Sequence, residues 1–295
     1  MPSRYINPYT DFGFKKLFGE EANKDLLIDF LNAVLPENYR VAELTFSNAE
    51  QLPDNNVNRK AIFDIACVSS KGEHFVVEMQ KAKQLYFKDR ALFDLSYPIQ
   101  RQAQKGDWNF KLNPVFLVAV LDFIYDENEE RRKLRRLVAL KDQDGALFSE
   151  NLQMVFLQMP LFDLQANQLK TPFDKWMYFL KNLENFDEIP LILREPVFEK
   201  AFATAEHVRF SPQLQEAYRK DQMAYWDNTN VMNTAIMEGE ARGEARGEAR
   251  GEARGEAKGR AEEKLSVARN LKQMGLFAAD IAKATGLSPD EVERL

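Results

Sequence analysis

Two rhythms of apolar and polar positions run along this chain. Residues 11–35 place Phe14, Leu17, Phe18, Leu26, Leu27, Phe30, Leu31 and Val34 at helical spacing, with Gly19 interrupting and Pro36 closing, so two helices are predicted. Residues 60–83 follow the other rhythm. Two runs rich in β-branched and aromatic residues flank Ser69-Ser70-Lys71-Gly72, the pattern of an antiparallel hairpin buried on at least one face. Residues 41–46 predict a strand, and Pro53-Asp54-Asn55 within the polar stretch 51–58 predicts a turn. Residues 81–104 predict a helix with Leu85, Leu92, Leu95 and Ile99 facing inward. Residues 115–123 form a continuous apolar run, as expected of a central strand covered on both faces, and 153–159 predict another strand. Strands alternating with long helices imply an α/β core of about four or five strands, with the hairpin at one side.

From Thr171 onward the chain reads as helix throughout. Phe173, Trp176, Met177, Phe179 and Leu180 cluster first, Pro190, Pro196 and Pro212 punctuate, and Leu214, Tyr218, Tyr225 and Trp226 follow. At Gly239 a tetrapeptide repeat begins: Gly-Glu-Ala-Arg four times, Gly-Glu-Ala-Lys, then Gly259-Arg260-Ala261-Glu262. Each four-residue step on a helix advances about 40°, so every i,i+4 pair is like-charged, as in Glu240 with Glu244 or Arg242 with Arg246, and no Glu has an Arg three or four away. Such a segment is either a flexible linker or a helix stabilised by a partner, and assembly is the favoured reading. Residues 264–295 predict a compact module: one helix over Leu265, Val267, Ala268 and Leu271 stopped at Gly275, a second over Phe277, Ile281 and Ala282 stopped at Gly286, and a capping box at Ser288-Pro289-Asp290-Glu291. The order suggests a helix-turn-helix. Asp290, Glu291 and Glu293 against Arg294 make a poor major-groove surface, so packing or partner binding is expected instead.

The hairpin carries polar residues that need a reason. Asp64 lies inside its first run, and Glu78 and Gln80 lie inside the second, where an unpaired charge costs several kcal/mol or takes a shifted pKa. Alternation puts Glu78 and Gln80 on one face with Val76, and Phe75, Val77 and Met79 on the other. With the turn near Lys71, Asp64 falls almost opposite Glu78. Opposed residues have Cβ atoms roughly 5 Å apart, so both carboxylates can bind one hard divalent cation. The plainer alternative is a strand-end carboxylate with a solvated partner.

Composition adds bounds. With 295 residues, 45% hydrophobic and 12% aromatic, the chain can bury a substantial core. One cysteine, Cys67, excludes an internal disulfide framework and suits a reducing compartment. No leader pattern opens the sequence, and its longest apolar run is too short to span a bilayer, so a cytoplasmic protein without membrane partners is expected. The net charge of −6 argues mildly against indiscriminate nucleic-acid binding. Locally the balance differs: residues 78–111 hold seven basic residues against four acidic ones, and 131–136 add a second basic knot, so a phosphate backbone could meet these segments. The two histidines, His74 and His207, have no consistent catalytic partners, and His74 beside the turn is expected at the surface.

The order Asp64, hairpin, Glu78-Met79-Gln80 resembles the D…(D/E)-x-K core of PD-(D/E)XK nucleases, with Gln in place of the usual Lys. Asp11-Phe12-Gly13-Phe14-Lys15-Lys16-Leu17-Phe18 resembles the D-x-x-F-K-x-x-F signature of the recombination-promoting nuclease and transposase (Rpn) family. Arg90, Tyr97, Gln100 and the segment 174–180 resemble further positions of that family, so the resemblance covers nearly the whole chain. It implies an α/β fold, a PD-(D/E)XK nuclease-like core with a mixed central sheet flanked by helices, followed by an all-helical C-terminal region. The corresponding divisions are residues 1–165 for the core, 166–237 for a helical subdomain, 238–262 for the repeat and 263–295 for the small module. It also implies a Mg²⁺- or Mn²⁺-dependent DNA endonuclease. Asp64 and Glu78 would hold the metal and Gln80 would orient the attacking water. Asp11 is a candidate third ligand, with Glu20 and Glu21 as substitutes, or else a helix N-cap. Asp122 is a candidate accessory acid. Lys81, Lys83 and Arg90 are candidate phosphate contacts, although Arg90 pairing with Asp89 or Asp94 on its own helix is the favoured reading. The competing function is a catalytically weak scaffold that forms homo-oligomers through the repeat and binds DNA or protein.

Overall fold

The computed structural model describes residues 3–47, 50–51, 61–126 and 128–295; the expected turn at Pro53-Asp54-Asn55 lies outside them. The chain forms α1 (Asp11–Phe18), α2 (Lys24–Val34), β1 (Leu44–Phe46), β2 (Glu50–Gln51), β3 (Ala61–Ile62), β4 (Ile65–Ser69), β5 (His74–Gln80), α3 (Phe87–Gln100), β6 (Val115–Leu121), β7 (Arg135–Lys141), β8 (Leu147–Gln158), α4 (Pro172–Asn182), α5 (Pro196–Ala205), α6 (Pro212–Gln273), α7 (Ala278–Thr285) and α8 (Pro289–Glu293). It divides into two compact units, Met1–Tyr225 and Trp226–Leu295. The sequence-derived cut after residue 165 falls inside the first unit, and the cut after 237 falls within α6.

The first unit is a mixed α/β structure around a six-stranded sheet of order β1-β4-β5-β6-β8-β7. β5, β6 and β8 run parallel, and β1, β4 and β7 pair antiparallel with their neighbours. β2 and β3 form a separate two-stranded pair. The β4–β5 hairpin is therefore interior rather than lateral, with β1 beyond β4 and β6 beside β5. The strand count exceeds the expected four or five because of β7, of which the sequence reading took only Arg135 and Arg136, as the end of the basic knot. Its alternation is blurred, as an edge strand needs little apolar surface on its outer side. The turn Asp142–Ala146, with Gly145 at φ +84°, joins β7 to β8, and Asp144-Gly145 is the sequence signal that marks it.

Each face of the sheet has its own cover. Cys67, Phe75, Val77, Met79, Phe116 and Val118 pack with residues of α1, α2, α4 and α5, where Trp176 stands among Phe18, Phe30, Phe179 and Phe198. Ala66, Val76, Leu117, Ala119 and Phe156 take the opposite face, against Phe87, Ala91 and Leu95 of α3. β6 is buried along its whole length, as its unbroken apolar sequence requires. Leu85 and Leu92 do not join the core: α3 begins only at Phe87, and its buried stripe is Phe87, Ala91, Asp94, Leu95 and Pro98, which leaves Leu85 89% exposed. α1 ends at Gly19, as predicted.

In the second unit Ala268, Ile281 and Val292 form a small core with Leu271, Ala282 and Leu287, while Val267 and Phe277 are exposed. Gly286 caps α7 at φ +69°, and Ser288 and Glu291 close the capping box of α8. The repeat is helical within α6 and exposed throughout. Opposite charges meet at the margins of the repeat, in Glu238–Arg242, Glu256–Arg260 and Lys258–Glu262. The last two correct the expectation that every i,i+4 pair is like-charged, and Glu256–Arg260 also corrects the expectation that no Glu has an Arg four away, because the four-residue phase breaks at Gly259-Arg260. Among the described residues, no helix is long and apolar enough to cross a membrane.

Candidate active site

β5 presents Glu78 and Gln80 on the face that meets α3, with Glu78 4% exposed. Gln80 Nε2 donates to Glu78 Oε2 at 2.8 Å. Glu78 Oε1 is buried and has no hydrogen-bond partner among the described residues. Burial pushes the Glu78 carboxyl up to about 7; the charges of Asp94 and Asp64 push the same way, and Gln80 and Arg90 oppose them. An acceptor left in this state costs about 1–3 kcal/mol, and more when ionised.

Asp64 sits just before β4. Met79 N–H donates to its Oδ2 at 2.7 Å. The β4–β5 register pairs Ile65 with Val77, so Asp64 is at the level of Glu78, as the turn position predicted. Burial raises its pKa, the Met79 amide lowers it, Asp11 raises it, and Lys15 and Lys81 lower it.

α3 adds a residue whose place the sequence reading missed. Asp94 lies in the buried stripe of the helix, its pKa raised by burial and lowered again by Arg90, whose Nε is 3.5 Å from Asp94 Oδ2. An acid at an apolar position of the 3.6-residue period was the available signal. Arg90 also donates to Gln84 Oε1 at 3.3 Å, so its contacts are the intrahelical pairing with Asp94 and a neighbouring amide.

Asp11 is not the cap of α1. Thr10 is, its Oγ1 accepting Gly13 N–H at 2.9 Å, because Thr10 holds the extended backbone a cap requires while Asp11 is already helical. Asp11 pairs instead with Lys15 at 2.9 Å. Glu20 pairs with Lys16 and Glu21 with Lys24. Asp11, Lys15, Lys16, Glu20, Asp64 and Asp221 border one open cleft of about 640 Å³. Among the described residues no three acid, histidine or cysteine side chains converge as a metal cage. Thus β4 and β5 bring Asp64 and Glu78 together, and α1 contributes charges along the cleft beside Asp64.

Lys81 Nζ lies 5.6 Å from the centre of the Tyr225 ring, and Lys83 is exposed on the following loop. Asp122 N–H donates to Gln80 O at 3.0 Å and Asp122 Oδ2 accepts Tyr225 OH at 3.3 Å, so this acid is held by a tyrosine at the end of β6. Three residues of the basic knot at 131–136 have partners on the far edge of the sheet: Arg132 pairs with Glu129, Arg136 with Asp126, and Arg135 lies 5.1 Å from the centre of the Phe173 ring. His74 is a half-buried residue of β5, not a surface one, and burial lowers its pKa.

The donor set fits a hard divalent cation. It offers carboxylate oxygens from β5 and from the residue just before β4, one of them buried without a partner among the described residues, together with an amide group. A family model described as PD-(D/E)XK nuclease family transposase matches residues 8–235. No curated protein and no solved structure matches the chain.

Proposed function

Since the chain belongs to the PD-(D/E)XK nuclease family of transposases, we propose that it is a Mg²⁺- or Mn²⁺-dependent DNA endonuclease acting at Asp64, Glu78 and Gln80. The observation that carries this reading is Glu78 Oε1, a buried carboxylate oxygen without a donor among the described residues and beside a second carboxylate. Asp64 and Glu78 would hold the ion. Bound there, a hard divalent cation supplies Lewis-acid stabilisation of phosphate charge and acidification of water. Gln80 commits its Nε2 to Glu78, which leaves its Oε1 to accept from the attacking water and set its direction. Gln80 brings no positive charge, unlike the lysine usual at this position; Lys15, whose charge bears on Asp64 from the cleft, supplies one instead and anchors the scissile phosphate. Arg90 and Asp94 act as positioning residues, packing a neutralised pair behind Glu78.

The repeat extends the proposal to assembly. Along 239–262 like charges stack and small residues wind beside them on a wholly exposed helix, a surface that a second copy can complement by setting Arg ridges against Glu ridges. Cys67, buried in β4 with its thiol pushed up to about 12 by burial, suits a reducing cytoplasmic setting. The competing scaffold reading draws on Gln80 and on the lack of a three-acid cage among the described residues. Supercoiled plasmid incubated with Mg²⁺, Mn²⁺ or EDTA separates the two: nicking that EDTA abolishes is the expected result, and an intact plasmid in every metal favours the scaffold.

A further inference from the structure

The loop between α3 and β6 displays an aromatic pair that the proposed chemistry does not use. Trp108 and Phe110 lie with ring centroids 4.8 Å apart and planes 35° from each other. Phe110 is 76% exposed and takes φ +59°, a left-handed backbone that non-glycine residues rarely adopt. The loop is nonetheless clamped shut: Asn113 N–H donates to Gln102 Oε1 at 2.6 Å, Gln102 Nε2 returns a bond to Asn113 O at 3.2 Å, and Lys111 N–H donates to Asn109 Oδ1 at 3.1 Å. The Phe110 ring is thus held out in water by a fixed frame, with the half-buried Trp108 ring beside it. Trp108 borders a groove of about 440 Å³ lined also by Gln104, Asp107, Asn109, Lys111 and Asn113. Arg101, Lys105 and Lys111 outnumber the one acid of the loop, Asp107, in a chain that is acidic overall.

We propose that Trp108 and Phe110 form a stacking platform for unpaired bases, so that the protein engages DNA carrying a single-stranded segment. This rests on the DNA-cleaving reading of the Asp64–Glu78 centre and names the substrate form. Flat aromatic faces accept any base, the neighbouring amides match base edges, and the three cations meet the phosphates. A protein partner would be better served by an apolar groove, whereas this one is walled by amide and charged groups. The loop that carries the platform runs into β6 at Val115. Glu78 is level with Ala119, four residues past Val115, so about 13 Å of strand separates the loop's exit from the centre, a span that a short single strand covers.

The test uses the full chain in EDTA, where binding is read without cleavage. Fluorescence anisotropy compares a labelled oligothymidylate of about 16 nucleotides, the upper site size of a single-strand-binding fold, with a blunt duplex of the same length. Trp108→Ala and Phe110→Ala should each weaken the single strand by roughly 5- to 150-fold, the value of one stacked base, with duplex affinity unchanged and with Phe110→Tyr retaining binding. The Phe110 side chain is exposed, so its removal leaves the fold intact and keeps the test decisive. Undiminished single-strand affinity in both alanine variants overturns the platform, as does an equal loss for single strand and duplex, or no single-strand binding by the wild type. None of these outcomes touches metal-dependent nicking by the wild type, which tests the nuclease reading separately.

Discussion

The amide of Met79 donates to Asp64 Oδ2 at 2.7 Å, tying the acid just before β4 to the strand that carries Glu78 one residue earlier. The carboxylate is therefore placed by backbone register and not by a flexible side chain alone. Asp64→Asn keeps an acceptor for that amide and removes a charge that burial disfavours. Its thermal midpoint should equal or exceed that of the wild type while Mg²⁺-dependent plasmid nicking falls by at least 100-fold. Asp64→Ala strands the Met79 amide and should cost about 1–3 kcal/mol in a urea titration as well. Full cleavage by the Asn variant removes Asp64 from the centre.

Lys15 and Gln80 make a linked pair of tests. With Gln at the motif position, the cation nearest the proposed chemistry on α1 is Lys15, in the cleft that Asp64 borders. Lys15→Ala should lower the nicking rate about 10- to 100-fold. Adding Gln80→Lys to that variant should recover part of the rate, because an ammonium beside Glu78 restores the missing charge. A Lys15→Ala protein with wild-type rates places the required charge elsewhere.

Glu78 gives the metal-free protein a pH signature. Its folded pKa stands at about 7 against 4.5 in the ordinary state, so the folded form prefers the protonated acid. That contribution is fully present below pH 4.5 and is lost as pH rises through about 7, on the order of 3 kcal/mol across the window. Asp64 and Asp94, also raised, add in the same direction. Urea titrations in EDTA at pH 5.5 and pH 8 should show wild type weaker at the higher pH, and Glu78→Gln should flatten much of the difference. Equal slopes in the two proteins contradict the buried, partnerless placement of Glu78.

The hairpin was legible because alternation and turn chemistry act locally: Ser69 to Gly72 sets the register, and the register puts Asp64 level with Glu78. Thr10 rather than Asp11 as the cap, and Asp94 as a buried acid, depend on where helices begin and which side they press on the sheet, which periodicity alone fixes only to within a turn. β7 escaped notice because its outer face needs no apolar residues, although Asp144-Gly145 marked its hairpin. Lys15 stood inside a recognised signature, yet its position in the cleft beside Asp64 appears only when α1 is packed against the residues before β4.

The tail prediction concerns the exposed repeat. An isolated helix with stacked like charges and a glycine every fourth residue should be weakly ordered without a partner, each glycine costing about 1 kcal/mol relative to alanine. Sedimentation of the full chain at micromolar concentration should report an oligomer, and deleting residues 239–295 should lower its order. A monomeric full chain, or a truncated chain that keeps its assembly, makes the repeat a linker.

Calorimetric titration of Mn²⁺ into wild type, Asp64→Asn and Glu78→Gln at one pH near 7.5 addresses the two-carboxylate centre without relying on turnover. Wild type should bind Mn²⁺ at this centre, and each single variant should weaken that binding by at least tenfold, a difference of about 1.4 kcal/mol. Wild-type affinity in both variants would contradict the assignment of Asp64 and Glu78 as the ion's ligands.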